Sequence, residues 1–415
     1  MQHVIIGAGP AGVIAAETLR KLDTAADITI VADEPEPPYS RMAIPYYLVG
    51  NIDEAGTYLR KSPGHYDTLG IDVVQDRVDA VAGAERKLTL ASGGTLAYDK
   101  LLIATGSRPL APPIAGIDLP GVHPCWTLED ARHIIALAQP GAKVVLMGAG
   151  FIGSIILEAL AGRGVDLTVL EADDRMVPRM MDQFAGGLLK SWCGDKGVSV
   201  LTSTRATGIE SASGSHALNV ALDSGGNLPA DLVIRATGVA PNSALVDGTS
   251  VQVEQGILVD EYLQSADPDI FAAGDVAQGK DFSTGEYSVQ AVQPTAADHG
   301  RIAATNMVRE RALMHQGSVN MNVLDTLGLI SCSFGLWQGV DGGDSAELAD
   351  ADRFRYMRLQ FSDDVLVGAN AVGLTQHVGV LRGLIQTRVH LGKWKERLKR
   401  DPTGVMAAYL GATQS

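Results

Sequence analysis

The first forty residues alternate between apolar and polar runs in an order that predicts a strand, a turn, a helix and a second strand. Val4, Ile5 and Ile6 form an uninterrupted apolar triplet, the pattern of a strand buried on both faces. Residues 13–21 follow a helical period with Ala15, Ala16 and Leu19 on the apolar side, and residues 28–32 form a second apolar strand. The order recurs with an apolar strand over 144–147, a helix, and a strand over 167–170. Between the two repeats, residues 71–74, 76–81, 86–90 and 96–104 predict strands, with a turn at Ser92-Gly93-Gly94. Prolines break the chain at 35–38, after which 44–48 resume a helical pattern. The Pro-rich stretch 109–124 predicts a linker.

Beyond the second repeat, residues 268–276 predict a short apolar strand that stops at Gly274-Asp275. A helix then runs over 294–307, with Pro294 at its start, where a missing N–H does no harm. The tail from about Asn320 alternates strand-like segments (328–334, 353–361, 365–372) with a closing helix over 378–388, the pattern of a small α+β domain. An internal repeat ties the halves together. Residues 92–109 align without gaps on 224–241, and both copies end an apolar strand on Ala-Thr-Gly: Ala104-Thr105-Gly106 and Ala236-Thr237-Gly238.

Each apolar repeat leads into glycines at G-x-G-x-x-G spacing: Gly7-Ala8-Gly9-Pro10-Ala11-Gly12 and Gly148-Ala149-Gly150-Phe151-Ile152-Gly153. The first glycine permits a tight turn, the second lets backbone approach a pyrophosphate, and the third lets the helix sit close on the sheet. The helix N-terminus then holds the phosphates, so two such units imply two dinucleotides. Asp33, with Glu34 as the alternative, falls where the first ribose is expected. Glu171 falls there in the second repeat, and its carboxylate suits a free ribose hydroxyl and repels a 2′-phosphate, favouring NADH over NADPH. Arg41 is placed either to offset the pyrophosphate charge or to pair on the surface with Asp33 or Glu34. Asp275, after its short strand, is placed to accept hydrogen bonds from a polyol chain. The positive end of the 294–307 helix suits the electron-rich edge of a reduced ring system.

Length and charge narrow the classes. At 415 residues the chain is too long for one core. A net charge of −15 argues against nucleic acid as a partner. No run of eighteen apolar residues is present, so no membrane span is expected, and with a strand opening at residue 3 or 4 the expected location is cytoplasmic. The three cysteines, Cys125, Cys193 and Cys332, form no C-x-x-C pair, so no metal or iron-sulfur centre is expected and each is read as a packing residue. Residues 393–400 form the one dense basic run, a solvated helix face or a docking surface.

The two glycine turns, the paired Ala-Thr-Gly strand ends and Ala272-Ala273-Gly274-Asp275 together resemble the FAD-dependent pyridine nucleotide-disulfide oxidoreductase superfamily, over residues 2 to about 310. Pro38-Tyr39-Ser40-Arg41 and the tail look most like the rubredoxin reductases and the flavin domain of assimilatory nitrite reductase. The resemblance implies an α/β fold of two Rossmann-like nucleotide-binding domains plus a small α+β C-terminal domain: an FAD-binding domain (1–110 and 241–315), an NAD-binding domain (111–240) and a tail (316–415) that packs over the flavin. Residue by residue, it implies that Gly7, Gly9, Pro10, Ala11 and Gly12 meet the FAD pyrophosphate, and Asp33 with Glu34 its ribose. Arg41 would take the phosphate side, Val78 the adenine through its backbone, Ala104, Thr105, Gly106 and Gly274 the surrounding turns, and Asp275 the ribityl chain. Gly148, Gly150, Phe151, Ile152, Gly153, Glu171 and Gly238 would hold NAD.

Three departures narrow the implied activity. Relatives with a nucleophilic cysteine carry it in Cys-Gly-Leu-Pro-Tyr-Tyr, where this chain reads Met42-Ala43-Ile44-Pro45-Tyr46-Tyr47, and a thioether forms no thiolate. No cysteine pair stands in the first lobe. A glutamate common near the nicotinamide is replaced by Ile155. The expected function is an FAD-dependent NADH:acceptor oxidoreductase. Hydride passes to flavin N5 and electrons leave to a redox protein such as rubredoxin or an iron-sulfur protein, with no catalytic side chain. Two readings stay open beside it: a flavin subunit of a larger oxidoreductase complex, with flow toward NAD+, and a flavoprotein whose redox state gates partner binding.

Overall fold

In the computed structural model, which describes residues 1–413, the chain divides into two compact units. Met1–Arg108 joins Val239–Ser318 in the first, and Pro109–Gly238 joins the chain from Val319 onward in the second.

The first unit is built on a five-stranded sheet in the order Ile270–Ala272, Lys100–Ile103, Gln2–Ile6, Asp27–Ala32, Ile71–Gln75, every pair parallel. Gln2–Ile6 lies in the middle, which is why Val4 and Ile5 are completely buried and why its apolar run is continuous rather than alternating. The first helix is Pro10–Leu22, three residues earlier than the hydrophobic period alone suggests. Gly9 is its N-cap, and Pro10 fits the first turn with its ready-made φ. A long helix, Gln293–Val308, crosses the first so closely that a Cβ on Gly300 would lie 2.2 Å from the Ala11 carbonyl oxygen.

The second unit repeats this plan. Its five parallel strands run Ser199–Leu201, Asp166–Leu170, Lys143–Met147, Leu232–Arg235, Val122–Pro124, with the helix Phe151–Gly162 following the central strand. Each unit also carries a three-stranded antiparallel meander, Val78–Ala82 with Lys87–Leu90 and Thr95–Ala97 in the first, and Ala206–Ser211 with Leu218–Leu222 and Asn227–Ala230 in the second. The tail forms a five-stranded antiparallel sheet covered by the helices Val378–Thr387, Lys393–Arg400 and Val405–Thr413. The expected α/β class, with two Rossmann-like lobes and a small α+β tail, is what the chain adopts.

Several predicted boundaries differ. The strand expected over 96–104 is two strands, Thr95–Ala97 and Lys100–Ile103, which belong to different sheets. The strand expected from residue 353 starts at Arg355, because 351–353 make a 3-10 turn ending on Phe354 at φ +50°. The Pro-rich 109–124 stretch ends in Val122–Pro124, an edge strand of the second parallel sheet, as proline tolerates.

The tail is fastened to the rest of the second unit by polar contacts that local sequence does not announce. The Tyr356 hydroxyl donates to the Asp182 carboxylate at 2.5 Å, Asn370 Nδ2 donates to the Met180 carbonyl at 2.8 Å, and Trp192 Nε1 donates to the Thr326 carbonyl at 3.0 Å. Among the described residues no helix is long and apolar enough to cross a membrane.

Candidate functional site

The two glycine turns are built alike. Gly7 has φ +108°, and a Cβ there would lie 2.2 Å from the Ala104 carbonyl oxygen. Gly148 has φ +103°, and its Cβ would lie 2.5 Å from the Ala236 carbonyl oxygen. Cβ atoms on Gly12 and Gly153 would each fall 2.0 Å from the oxygen of the first glycine of their own turn, Gly7 and Gly148. Gly9 and Gly150 differ from these: nothing lies within 4 Å of a Cβ at either position. Both are N-caps without a side-chain cap, so the first-turn N–H groups of two helices, 13 and 12 residues long, face a surface kept clear of side chains. Such a cradle fits a pyrophosphate, once in each unit.

The strand ends beside the cradles also match. The Ala104 N–H donates to the Ile6 carbonyl at 2.8 Å, and the Ala236 N–H to the Met147 carbonyl at 2.8 Å. In the first unit the Thr105 hydroxyl donates to the Asn242 carbonyl (2.8 Å), Asn242 Nδ2 donates back to the Thr105 carbonyl (3.0 Å), and the Asn242 N–H donates to the Gly106 carbonyl (3.0 Å). In the second the Thr237 hydroxyl donates to the Leu110 carbonyl (3.1 Å) and the Leu110 N–H to the Gly238 carbonyl (2.9 Å). The repeated Ala-Thr-Gly segments are therefore rigid floors next to each cradle. Asn242 and Leu110 hold them, and the repeat alone does not point to either.

The carboxylates at the second strand are not placed alike. The Gly7 N–H donates to the Val31 carbonyl and the Gly148 N–H to the Leu170 carbonyl, which makes Ala32 the counterpart of Glu171. Glu171 is buried and accepts from the backbone N–H of Ala149 (2.7 Å) and of Asp173 (2.9 Å). Asp33 is exposed. Glu34 accepts from Arg41 at 2.5 Å on one oxygen and from the Tyr39 hydroxyl at 2.5 Å on the other, so the surface pairing weighed for Arg41 is formed.

Arg41 also lies near Asp275. Burial raises the Asp275 carboxyl above the ordinary carboxylate value, opposed by a hydrogen bond from the Ser107 hydroxyl at 2.9 Å and by the Arg41 charge. The first unit thus gathers Glu34, Tyr39, Arg41, Ser107 and Asp275 in one polar neighbourhood. Tyr39 and Ser107 lie inside segments quoted above; Tyr39 meets Glu34 and Arg41 close by in sequence, whereas Asp275, the partner of Ser107, lies far along the chain. Val78 opens its strand and is buried, and Ala11 is buried against the long helix. That helix has Val292 as N-cap without a side-chain cap, and Gln293 Oε1 accepts from the Ser40 hydroxyl at 2.6 Å.

In the second unit Phe151, Ile152 and Ile155 are half-buried on the helix after the cradle. One turn beyond Ile155, burial and the nearby Asp325 raise the Glu158 carboxyl. The cysteines are far from thiolate chemistry: burial pushes Cys125, Cys193 and Cys332 each up to about 12. Met42 is 46% exposed. Among the described residues no group of three His, Cys, Asp or Glu side chains could hold a metal ion.

Comparison with known proteins accounts for the doubled cradle. Residues 1–300 match the model of the pyridine nucleotide-disulphide oxidoreductases. The chain belongs to that family. Within it, the NADH-dependent phenylglyoxylate dehydrogenase subunit epsilon of Aromatoleum evansii is 30% identical over 97% of this chain and 96% of its own length. Rhodocoxin reductase of Rhodococcus erythropolis is 35% identical over 74% of this chain and 72% of its own. Among solved structures, the ferredoxin reductase for the CYP199A2 system from Rhodopseudomonas palustris superposes with a TM-score of 0.82 at 27% identity, over 91% of this chain and 92% of that one. As a pyridine nucleotide-disulphide oxidoreductase, the chain is an NAD(P)H-dependent FAD enzyme whose cofactors are FAD and NAD(H).

Proposed function

We propose that this enzyme oxidises NADH through FAD and delivers the electrons to a separate redox protein without a thiol relay. The observation that carries the reading is the doubled cradle, in which Gly9 and Gly150 leave open space while their neighbouring glycines are locked by contact. FAD is assigned to the first unit, where the Asp275 carboxyl, its Ser107 hydroxyl partner and the Arg41 charge come together. NADH is assigned to residues 111–240, with 316–415 as a separate tail domain. The bound FAD supplies the ring that accepts hydride and releases electrons singly.

The chain's own residues bind and orient. The free N–H groups after Gly9 and Gly150 take the pyrophosphates, Asp275 and Ser107 line the ribityl side, and Glu171 faces the ribose of NADH with a negative charge that repels a 2′-phosphate. Arg41 is held by Glu34 within reach of the phosphate side. Asp33 stays the proposed ribose contact of FAD with Glu34 as the alternative, since the chain places Ala32 at the strand end itself. With the cysteine thiols raised and methionine at position 42, the electrons leave directly from the flavin.

Relatives named as reductases of rhodocoxin and ferredoxin support a protein acceptor. A second reading, a flavin subunit within a larger complex, is favoured by one observation: a relative that matches over 97% of this chain and 96% of its own length is named a subunit. The reading places the enzyme in the cytoplasm, where NADH turns over. Anaerobic mixing of the FAD-loaded protein with NADH tests the core of it. Rapid bleaching of the flavin is expected, and slow or absent bleaching would leave only a redox-gated binding role. Purification from the native host at low salt separates the two enzyme readings, since a fixed subunit elutes with its complex and a free reductase elutes alone.

A further inference from the structure

His299 is a buried titratable side chain that the proposed chemistry leaves unused. It sits on the long helix Gln293–Val308 and is 3% exposed. Its Nδ1 accepts the backbone N–H of Gly274 at 3.4 Å. That N–H opens the short 3-10 turn Gly274–Val276, which carries Asp275 and whose N-cap, Ala273, offers no side-chain acceptor. The preceding N–H, of Ala273, is already taken by the Ile103 carbonyl of the sheet at 3.0 Å. The Gly274 donor is therefore the first that the sheet does not satisfy, and His299 meets it from the neighbouring helix.

The site is tightly defined. Gly274 has φ +76°, and a Cβ there would lie 3.4 Å from the Ala11 side chain and 3.5 Å from that of Ala296, so the turn is held between the two helices. The His299 ring stands perpendicular to that of His315, with centroids 4.6 Å apart, and Nε2 has no partner among the described residues. Burial, helped by His315, lowers the His299 pKa to about 3, which keeps Nδ1 free to accept.

We propose that His299 is a positioning residue for the flavin: its Nδ1 fixes the Gly274 backbone and so sets the direction from which Asp275 meets the ribityl chain. This rests on the assignment of FAD to the first unit. No contact between His299 and the cofactor is required.

The test is titration of the deflavinated protein with FAD, followed by quenching of flavin fluorescence. His299→Leu removes the acceptor, and His299→Asn restores one near the place of Nδ1. Loss of a single hydrogen bond should raise the FAD dissociation constant about tenfold in His299→Leu, with His299→Asn within about threefold of wild type. His299→Leu, which leaves the Gly274 N–H unpaired, should melt somewhat earlier than His299→Asn, so FAD binding is read well below both melting temperatures, where circular dichroism shows both apoproteins folded. If His299→Leu does not fold, His299→Gln, whose amide reaches the place of Nε2 instead, takes over its arm and should bind more weakly than His299→Asn. Wild-type affinity in His299→Leu, or equal weakness in the acceptor-restoring and acceptor-lacking variants, overturns the proposal. A Gly9→Val control separates the underlying assignment: if it binds FAD as wild type does, the placement of FAD itself fails.

Discussion

Glu171 accepts a hydrogen bond from the backbone N–H of Ala149 at 2.7 Å, so the carboxylate that ends one strand is built into the glycine turn that ends its neighbour. Its second oxygen takes the Asp173 N–H, and the residue is buried. The side chain proposed to repel a 2′-phosphate is thus also one that holds the shape of the cradle. Glu171→Gln, which keeps an acceptor but loses the charge, should narrow the preference for NADH over NADPH while the fold stays intact. Glu171→Arg should narrow or reverse the preference, but it leaves two backbone donors unpaired at about 1–3 kcal/mol each and should also melt earlier. Equal kcat/KM for the two cofactors in the wild type would remove the argument.

Gly9→Val should give a folded protein without flavin. A Cβ at that position has nothing within 4 Å, so the side chain enters the open space that the proposed function gives to pyrophosphate. Gly12→Val should fail differently, because its Cβ would lie 2.0 Å from the Gly7 oxygen and the helix would have to leave the sheet. Flavin absorbance per protein, read beside circular dichroism, distinguishes them. A yellow Gly9→Val protein contradicts the cradle assignment.

These variants also mark what the amino-acid pattern could and could not reveal. The cradles were legible because G-x-G-x-x-G encodes steric facts local to a strand, a turn and a helix. The ribose position on the first lobe was less so: counting about twenty residues from the glycines points to Asp33, but the link between strands is two residues longer there than in the second lobe, and Ala32 holds in the first lobe the place that Glu171 holds in the second. Met321–Thr326 and Asp344–Asp350 were missed as strands because both lie at the edges of the tail sheet, where exposed polar residues dilute the apolar alternation. The contact of His299 with Gly274 depends on how two helices and a sheet come together, and no periodicity carries it.

Thiol chemistry should be dispensable. All three thiols are raised to about 12 by burial, so the thiolate fraction near neutral pH is negligible. A Cys125→Ser, Cys193→Ala, Cys332→Ala protein assayed with an artificial one-electron acceptor should stay within about tenfold of wild type, or roughly 1.4 kcal/mol in transition-state stabilisation. A larger loss at unchanged flavin content would bring a cysteine back into the mechanism.

Acid should weaken the fold earlier than the carboxylates alone would dictate. His299 is lowered from its ordinary value of 6.5 to about 3, and His3, completely buried with neither ring nitrogen partnered among the described residues, is lowered as well. The unfolded chain then takes up protons that the folded chain refuses. Stability is fully present above about pH 6.5 and drains as the pH falls below it, by up to about 1.4 kcal/mol per unit for each such group, a loss that for His299 continues down to about pH 3. Denaturant midpoints between pH 7.5 and 5 should fall, and His3→Leu should flatten that slope. A slope identical to that of the wild type would show that His3 is accessible to protons in the folded state.

The basic helix Lys393–Arg400 yields the last prediction, a hypothesis about the acceptor. Without a thiol relay the carrier must meet the enzyme directly, and acidic carriers are drawn to a basic face on an otherwise acidic protein. Part of that charge is already spoken for: Lys395 and Lys399 both reach the Asp344 carboxylate at 3.0 Å, and Arg397 stacks over Trp394 at 4.3 Å. Lys393 and Arg400 are exposed and, among the described residues, make no ion pair. Reversing Lys393 and Arg400 to glutamate should therefore slow reduction of the carrier several-fold at low ionic strength, with the difference fading as salt screens it over about 10 Å at 0.1 M. Reduction of the flavin by NADH should be unchanged in the same variant. Lys395→Glu and Lys399→Glu should instead loosen the helix from the Asp344 strand, and their effect should persist in high salt. If the rate with the carrier ignores both ionic strength and the Lys393 and Arg400 reversals, docking does not use this helix, and a permanent subunit contact becomes the better account of how electrons leave.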